Sequence, residues 1–67
     1  MAPRIENILF ALDSAHSVGE MDRPSLRLHP LTGDLKGYWA VTVRANWRIT
    51  FRFENENAFD VDLVDYH

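Results

Sequence analysis

Three side chains that can transfer a proton are adjacent at the end of the sequence: Asp65, Tyr66 and His67. They follow residues 59–64, whose composition is typical of a β-strand. A carboxylate, a phenol and an imidazole can each act in general acid–base chemistry, and imidazole titrates near neutral pH. Since chain ends usually fray, the three residues are either part of a site or a solvated end.

Two arginines, Arg48 and Arg52, lie on the same side of a predicted strand, opposite its aromatic residues. The spacing alone favours a solvated sheet face on which they pair with Asp60 or Asp62 of the next strand. The alternative is a phosphate clamp, because the planar guanidinium presents a fork of donors that fits phosphate oxygens.

The histidines outside the C-terminal group have ordinary structural explanations when each is taken alone. His16 falls near the end of a predicted helix, where a cation interacts favourably with the helix dipole. His29 precedes a proline at the end of a short predicted strand, where a hydrogen-bonded loop histidine is the common case. The three histidines do not have the spacing of metal ligands, so the sequence predicts no metal site.

The N-terminal third predicts one amphipathic helix and a loop. Within residues 3 to about 15, the apolar side chains recur at the helical spacing that places them on one face. We expect residues 17–19 to end the helix, residues 20–25 to form a loop, and residues 26–28 to form a short strand stopped by Pro30. The helical apolar residues are Ile5, Ile8, Leu9 and Leu12.

From residue 38 onward, the hydrophobic pattern repeats every two residues, as in β-strands. Residues 38–44 and 47–53 alternate apolar with polar or small side chains, and residues 59–64 complete a third strand. Short turn segments at 45–46 and 54–57 predict hairpins. The fold class is therefore α+β, with one helix packed on an antiparallel β-meander of three to four strands. Trp39 and Trp47 are expected in the core, whereas Tyr38 points the other way.

Length, composition and charge limit the classes of protein to which the chain can belong. With 67 residues the chain is at most one domain, and it contains no cysteine, so we expect a cytoplasmic protein without disulfides. We see neither a secretory signal nor an apolar run long enough to span a bilayer. The net charge of −3 argues weakly against nucleic acid. The centre is basic, however, and Lys36, Arg44 and Arg52 are candidates for binding RNA phosphates.

Three segments together resemble the HigB toxins, of the RelE-like superfamily in bacterial type II toxin–antitoxin systems. They are LHPLTGDLKGYW at residues 28–39, VRANWRITF at 43–51 and VDYH at 64–67. The matching spacing extends over residues 3 to 67. The resemblance implies one RelE-like domain that cleaves mRNA in the ribosomal A site. It also implies a helix-turn-helix antitoxin, HigA, which neutralises the toxin and forms with it the complex that represses their operon.

The resemblance also implies site residues: by position, His29, Arg48, Asp65, Tyr66 and His67 match the active site of family members. RelE-like cleavage uses the RNA 2′-OH as nucleophile and needs no metal or cofactor. Arg48 would stabilise the phosphate in the transition state, while the division of acid and base roles among His29, Asp65 and His67 stays open. Tyr66 would stack on a base or join proton transfer.

The sequence departs from the family at its N-terminus, where members usually carry about two dozen further residues that form a strand and a helix. The chain would begin at an internal start site, or it would be a shortened variant or a truncated form. An unpaired sheet edge, open to a homo-oligomer or an antitoxin segment, would follow. Binding to the ribosome would also be weaker, because the upstream residues supply much of the basic charge in family members and contacts to phosphates dominate such affinity. The alternative function is a catalytically weak module that binds antitoxin and acts in regulation.

Overall fold

The computed structural model of the chain describes residues 2–65. A helix, α1 (Ala2–Ser14), precedes a 3₁₀ helix at Val18–Met21. The strands are β1 (His29–Pro30), β2 (Trp39–Arg44), β3 (Trp47–Glu54) and β4 (Asn57–Asp65), with a 3₁₀ helix at Gly33–Leu35 between the first two. None of the helices in the described part is long and apolar enough to cross a membrane.

The four strands form one antiparallel sheet in the order β1-β2-β3-β4, a simple meander. The β2–β3 connection is a tight turn at residues 45–46, and the β3–β4 turn lies at residues 55–56. Both were predicted from their turn residues. The α+β fold class, with an N-terminal helix on a meander, is therefore confirmed.

The hydrophobic core lies between α1 and one face of the sheet, which we call the core face. Ile8 and Leu12 of α1 pack there, at the helical spacing that the sequence predicted, whereas Leu9, expected on the same face, is 42% exposed. Trp39 and Trp47 are half-buried against the same core, as expected. Each large apolar side chain buried completely contributes roughly 1.5–3 kcal/mol. The sheet residues at the centre of the core face are Val41, Val43, Ile49 and Phe51.

The side chain of Arg4 joins α1 to the sheet and to the loop that follows the helix. Its Nε donates a hydrogen bond to the carbonyl oxygen of Val43 in β2, and its Nη2 donates to the carbonyl oxygen of Ser25 at 2.9 Å. Charged donors strengthen such bonds to roughly 1.5–3 kcal/mol. One side chain therefore connects the helix, the following loop and the sheet.

The predicted strand at residues 26–28 is wrong. Arg27 has a positive φ of 51°, which interrupts an extended chain, and the amides of Leu26 and Arg27 both bond to the carbonyl of Arg23 in a turn. The strand begins at His29 and includes Pro30, which an edge strand tolerates because its missing N–H faces outward. The loop expected from residue 20 also starts later, because Glu20 lies in the 3₁₀ helix Val18–Met21.

A β-bulge interrupts β4. The ladder pairs Thr50 with Asp62 and Arg52 with Phe59, which leaves Asp60 and Val61 opposite Phe51 alone. Asp60 has a φ of 53°, in the left-handed region that such bulges use. The extra residue turns Phe59 to the same face of the sheet as Arg52.

Candidate active site

The face of the sheet turned away from α1, here called the open face, holds a cleft of about 670 Å³. Its floor follows one row of residues paired across all four strands: His29 with Ala40, Ala40 with Thr50, and Thr50 with Asp62. Small side chains at the two central positions, Ala40 and Thr50, leave space between the larger groups at the ends of the row. The cleft is thus a direct consequence of strand register.

The loop between β1 and β2 forms one wall of the cleft through Leu31, Leu35 and Tyr38. Backbone hydrogen bonds close this loop, from the amide of Leu31 to the carbonyl of Tyr38 and from the amide of Tyr38 to the carbonyl of Leu35, both at 2.9 Å. Gly37 has a φ of +99°, which favours glycine. The segment TGDLKG, predicted as turns, therefore builds the wall.

Arg48 lies at one end of the cleft, where β3 begins. Its Nη1 donates to the carbonyl oxygen of Ala45 at 2.9 Å and to that of Trp47 at 3.4 Å. These contacts hold the guanidinium beside the β2–β3 turn. The side chain is half-buried, so its charge is screened less by solvent than that of a fully exposed arginine.

His29 lines the cleft on the β1 side and is exposed. Its Nδ1 lies 3.0 Å from the carbonyl oxygen of Arg27. A carbonyl oxygen can only accept, so this contact assigns the hydrogen to Nδ1. In the neutral ring, Nε2 then carries the lone pair that can accept a proton, and in the charged ring it carries the second N–H.

His29 and Arg48 lie on strands separated by β2 and are offset by two residues along the sheet, because Arg48 pairs with Thr42 and His29 with Ala40. Two spacings between strands amount to roughly 10 Å. The geometry leaves room between the imidazole and the guanidinium for a group the size of a phosphodiester.

Asp65 is the last described residue, at the end of β4 opposite Trp47. The neighbouring pair in the ladder is Arg48 with Val64, so β4 brings Asp65 to the same end of the sheet as Arg48. Asp65 itself does not line the cleft, and its ladder partner Trp47 packs on the core face rather than the open face. Tyr66 and His67, also predicted for the site, lie outside the described residues.

The three basic residues that were candidates for phosphate binding do not line the cleft. Lys36 and Arg44 are exposed, on the β1–β2 loop and at the end of β2. Arg52 forms ion pairs with Glu54 at 3.0 Å and with Asp60 at 3.6 Å. The pair with Asp60 is the cross-strand pair that the spacing favoured.

The guanidinium of Arg52 also lies over aromatic rings, 4.9 Å from the centre of the Phe59 ring and 5.8 Å from that of Tyr38. Such contacts are worth roughly 0.5–1 kcal/mol at exposed sites. Arg52 thus holds the β4 side and the loop side of the open face together. Within residues 2–65, no three histidine or acidic side chains are grouped closely enough to hold a metal ion.

Sequence reasoning did not select the cleft residues Ala40 and Thr50, and it treated Asp62 only as a partner for arginine. Strand alternation did place Ala40 away from Val41, and Thr50 on the side of Arg48. The missing information was register, which alone aligns these residues with His29 in one row.

Comparison with known proteins decides the family. Residues 1–67 match the family described as RelE-like toxin of type II toxin-antitoxin system HigB. The chain is also 53% identical over 64 residues to a protein of Proteus vulgaris named Endoribonuclease HigB. This alignment covers 96% of the chain and 70% of the relative. The chain belongs to the HigB family.

Membership of the HigB family confirms the resemblance carried by the three sequence segments. A toxin of a type II toxin–antitoxin system has an antitoxin partner, so the family also implies such a partner for this HigB-family chain. The cleft that contains His29 and Arg48 is its candidate active site.

Proposed function

We propose that this chain is an endoribonuclease that cleaves mRNA in the ribosomal A site, with the cleft on the open face as its active site. The observation that carries the proposal is that strand register brings His29 and Arg48 into one cleft, with β4 ending beside Arg48. The name of the Proteus vulgaris relative supports the reaction class.

The proposed reaction needs only groups that the protein and the RNA supply. A base removes the proton of a 2′-OH, and that oxygen forms a bond to the adjacent phosphorus. The bond from phosphorus to the 5′ oxygen of the next nucleotide breaks, and an acid protonates the leaving oxygen. The products are a cyclic 2′,3′-phosphate and a free 5′-OH.

Arg48 has the role of stabilising the phosphate as negative charge accumulates on its oxygens in the transition state. The carbonyls of Ala45 and Trp47 hold the guanidinium in advance, so little reorganisation is needed during the reaction. A planar fork of N–H donors matches phosphate oxygens better than the point charge of lysine does.

His29 exchanges a proton with the RNA through Nε2, since Nδ1 is engaged with the carbonyl of Arg27. Asp65 lies at the same end of the sheet as Arg48, and Asp65, Tyr66 and His67 would complete the catalytic set. His29 and one of the terminal residues would supply the base and the acid, and substituting each residue in turn would decide which is which. Tyr66 would stack on a base or transfer a proton.

Family membership, rather than the charge of the chain, favours a substrate presented by the ribosome. A net charge of −3 gives little electrostatic attraction to free RNA, because affinity for nucleic acid depends largely on contacts to phosphates. Ribosome-bound mRNA would be delivered in a defined position instead. Such a substrate places the protein in the bacterial cytoplasm, and the proposed neutralising partner is a HigA-type helix-turn-helix antitoxin.

The test is induction of the chain in bacteria, with and without the antitoxin, followed by mapping of 5′ ends on mRNA. We expect growth arrest, 5′-OH ends inside translated codons, and relief by the antitoxin. Cuts that persist when translation is blocked would contradict ribosome dependence. Intact mRNA at confirmed soluble expression would contradict the nuclease, and antitoxin binding without cleavage would favour the regulatory module.

A further inference from the structure

One carboxylate in the cleft has no evident role in cleaving RNA. Asp62 lines the cleft at the β4 end of the floor row and is exposed. Within residues 2–65 its side chain has no ion pair and no hydrogen bond, whereas the neighbouring Asp60 pairs with Arg52. A negative charge at this position repels phosphates, so it weakens rather than strengthens attraction to the RNA backbone.

The opposite side of the cleft is unusually apolar for an exposed surface. Leu35 is 48% exposed, yet it lies in the cleft wall beside Leu31 and Tyr38. The flat floor of Ala40 and Thr50 separates this wall from Asp62. A cleft with an apolar wall on one side and a hydrogen-bond acceptor on the other fits a planar, partly polar group, which describes a nucleobase.

We propose that Asp62 selects the base of a nucleotide flanking the scissile phosphate, and that it favours bases with an exocyclic amino group over uracil. The inference rests on the proposed nuclease function. An ionised carboxylate only accepts hydrogen bonds, so it pairs with the amino groups of adenine, cytosine or guanine. Uracil presents carbonyl oxygens where cytosine and adenine carry amino donors, and these oxygens repel the carboxylate.

The floor and wall place the base against this carboxylate. The base packs between Leu35 and the Thr50 floor with its polar edge toward β4, while its sugar and phosphate extend toward His29 and Arg48. Thr50 pairs with Asp62 in the ladder, and its hydroxyl can donate to a ring nitrogen beside the amino group. RNA is favoured over a basic protein segment as the occupant because the same cleft contains His29 and Arg48.

The experiment compares base preference at cleavage sites for the wild type, Asp62→Asn and Asp13→Asn. The amide of asparagine can both donate and accept, so it tolerates uracil, and Asp62 has no described partner whose loss would unfold the protein. Asp13 is exposed near the end of α1, and the substitution there removes the same charge away from the cleft. Nucleotides on both sides of each mapped cut are counted relative to their frequency in translated mRNA.

We expect uracil to be depleted by roughly tenfold at one flanking position in the wild type and in Asp13→Asn, and this depletion to be lost in Asp62→Asn while cutting continues. Abundant cutting with unchanged depletion in Asp62→Asn would overturn the inference alone. A wild type that makes no cuts would overturn the nuclease itself. If Asp62→Asn escapes neutralisation by the antitoxin and keeps its base preference, the carboxylate binds protein instead.

Discussion

The two faces of the same sheet differ in almost every physical respect. The core face presents buried β-branched and aromatic side chains to α1, and every position at its centre is almost fully buried. The open face carries an exposed histidine, a half-buried arginine and acidic groups around a cleft floored by small residues. Successive residues of one strand serve both faces, so neighbouring substitutions should separate stability from chemistry.

The largest effect is expected from the centre of the core face. Phe51 is 0% exposed, and Phe51→Ala should cost roughly 3–5 kcal/mol of stability through lost burial and a cavity. Urea denaturation followed by circular dichroism measures this loss. Phe10→Ala is the matched control, because Phe10 is 73% exposed on α1 and should change stability by less than about 0.5 kcal/mol. Equal losses in the two variants would contradict the assigned core.

On the open face, His29→Gln should lower cleavage by roughly 10²-fold or more, because the variant retains hydrogen bonding but loses proton transfer. Its unfolding midpoint should remain near the wild-type value, since His29 is exposed. The yield of mRNA 5′ ends per amount of soluble toxin measures the effect. His16→Gln makes the same change in the exposed loop after α1 and should cleave normally. Normal cleavage by His29→Gln would remove His29 from the reaction.

The wall of the cleft should be sensitive to backbone strain. Gly37→Ala places a side chain at a φ of +99°, and although the added Cβ meets no atom within 4 Å, the conformation should cost about 1 kcal/mol. Gly19→Ala is the control, because its Cβ would make only an ordinary contact with the Ser17 hydroxyl at 3.7 Å. Thermal unfolding compares the two. A stabilised Gly37→Ala variant would contradict the conformation of the wall.

The smallest effect concerns the charged network of the open face. Arg52→Ala should cost less than about 1 kcal/mol, because both ion pairs are substantially exposed and solvent screens them. The loss should shrink in high salt, leaving the contribution of the contact with Phe59. Urea denaturation at low and high salt, with Arg23→Ala as the control, measures this. A loss as large as that of Phe51→Ala would show that the open face also carries the core stability.

The sequence alone predicted the core face well. Strict alternation along β3 separates Ile49 and Phe51 from Arg48, and the helical spacing of Ile8 and Leu12 selects the side of α1 that packs there. These patterns are local, and burial of one face leaves few alternatives.

The open face was less accessible to sequence reasoning because its features depend on pairing between distant residues. The row from His29 to Asp62 joins four strands. Arg27 and Asp60 adopt left-handed conformations although neither is a glycine, so the sequence contained no sign of them. The first makes β1 begin later than predicted, and the second forms the bulge in β4. The resemblance to HigB toxins supplied His29 and Arg48 as site residues, but it did not indicate the cleft floor or Asp62.

The central claim is that the open face performs the chemistry, and Arg48→Ala tests it most directly. Cleavage of cellular mRNA and the unfolding midpoint are measured for this variant and for Arg23→Ala, which removes one exposed positive charge outside the cleft. We expect Arg48→Ala to lower cleavage by roughly 10²–10³-fold while stability falls by about 1 kcal/mol, for the lost hydrogen bonds to the turn. Full cleavage by folded Arg48→Ala would place the chemistry elsewhere on the molecule.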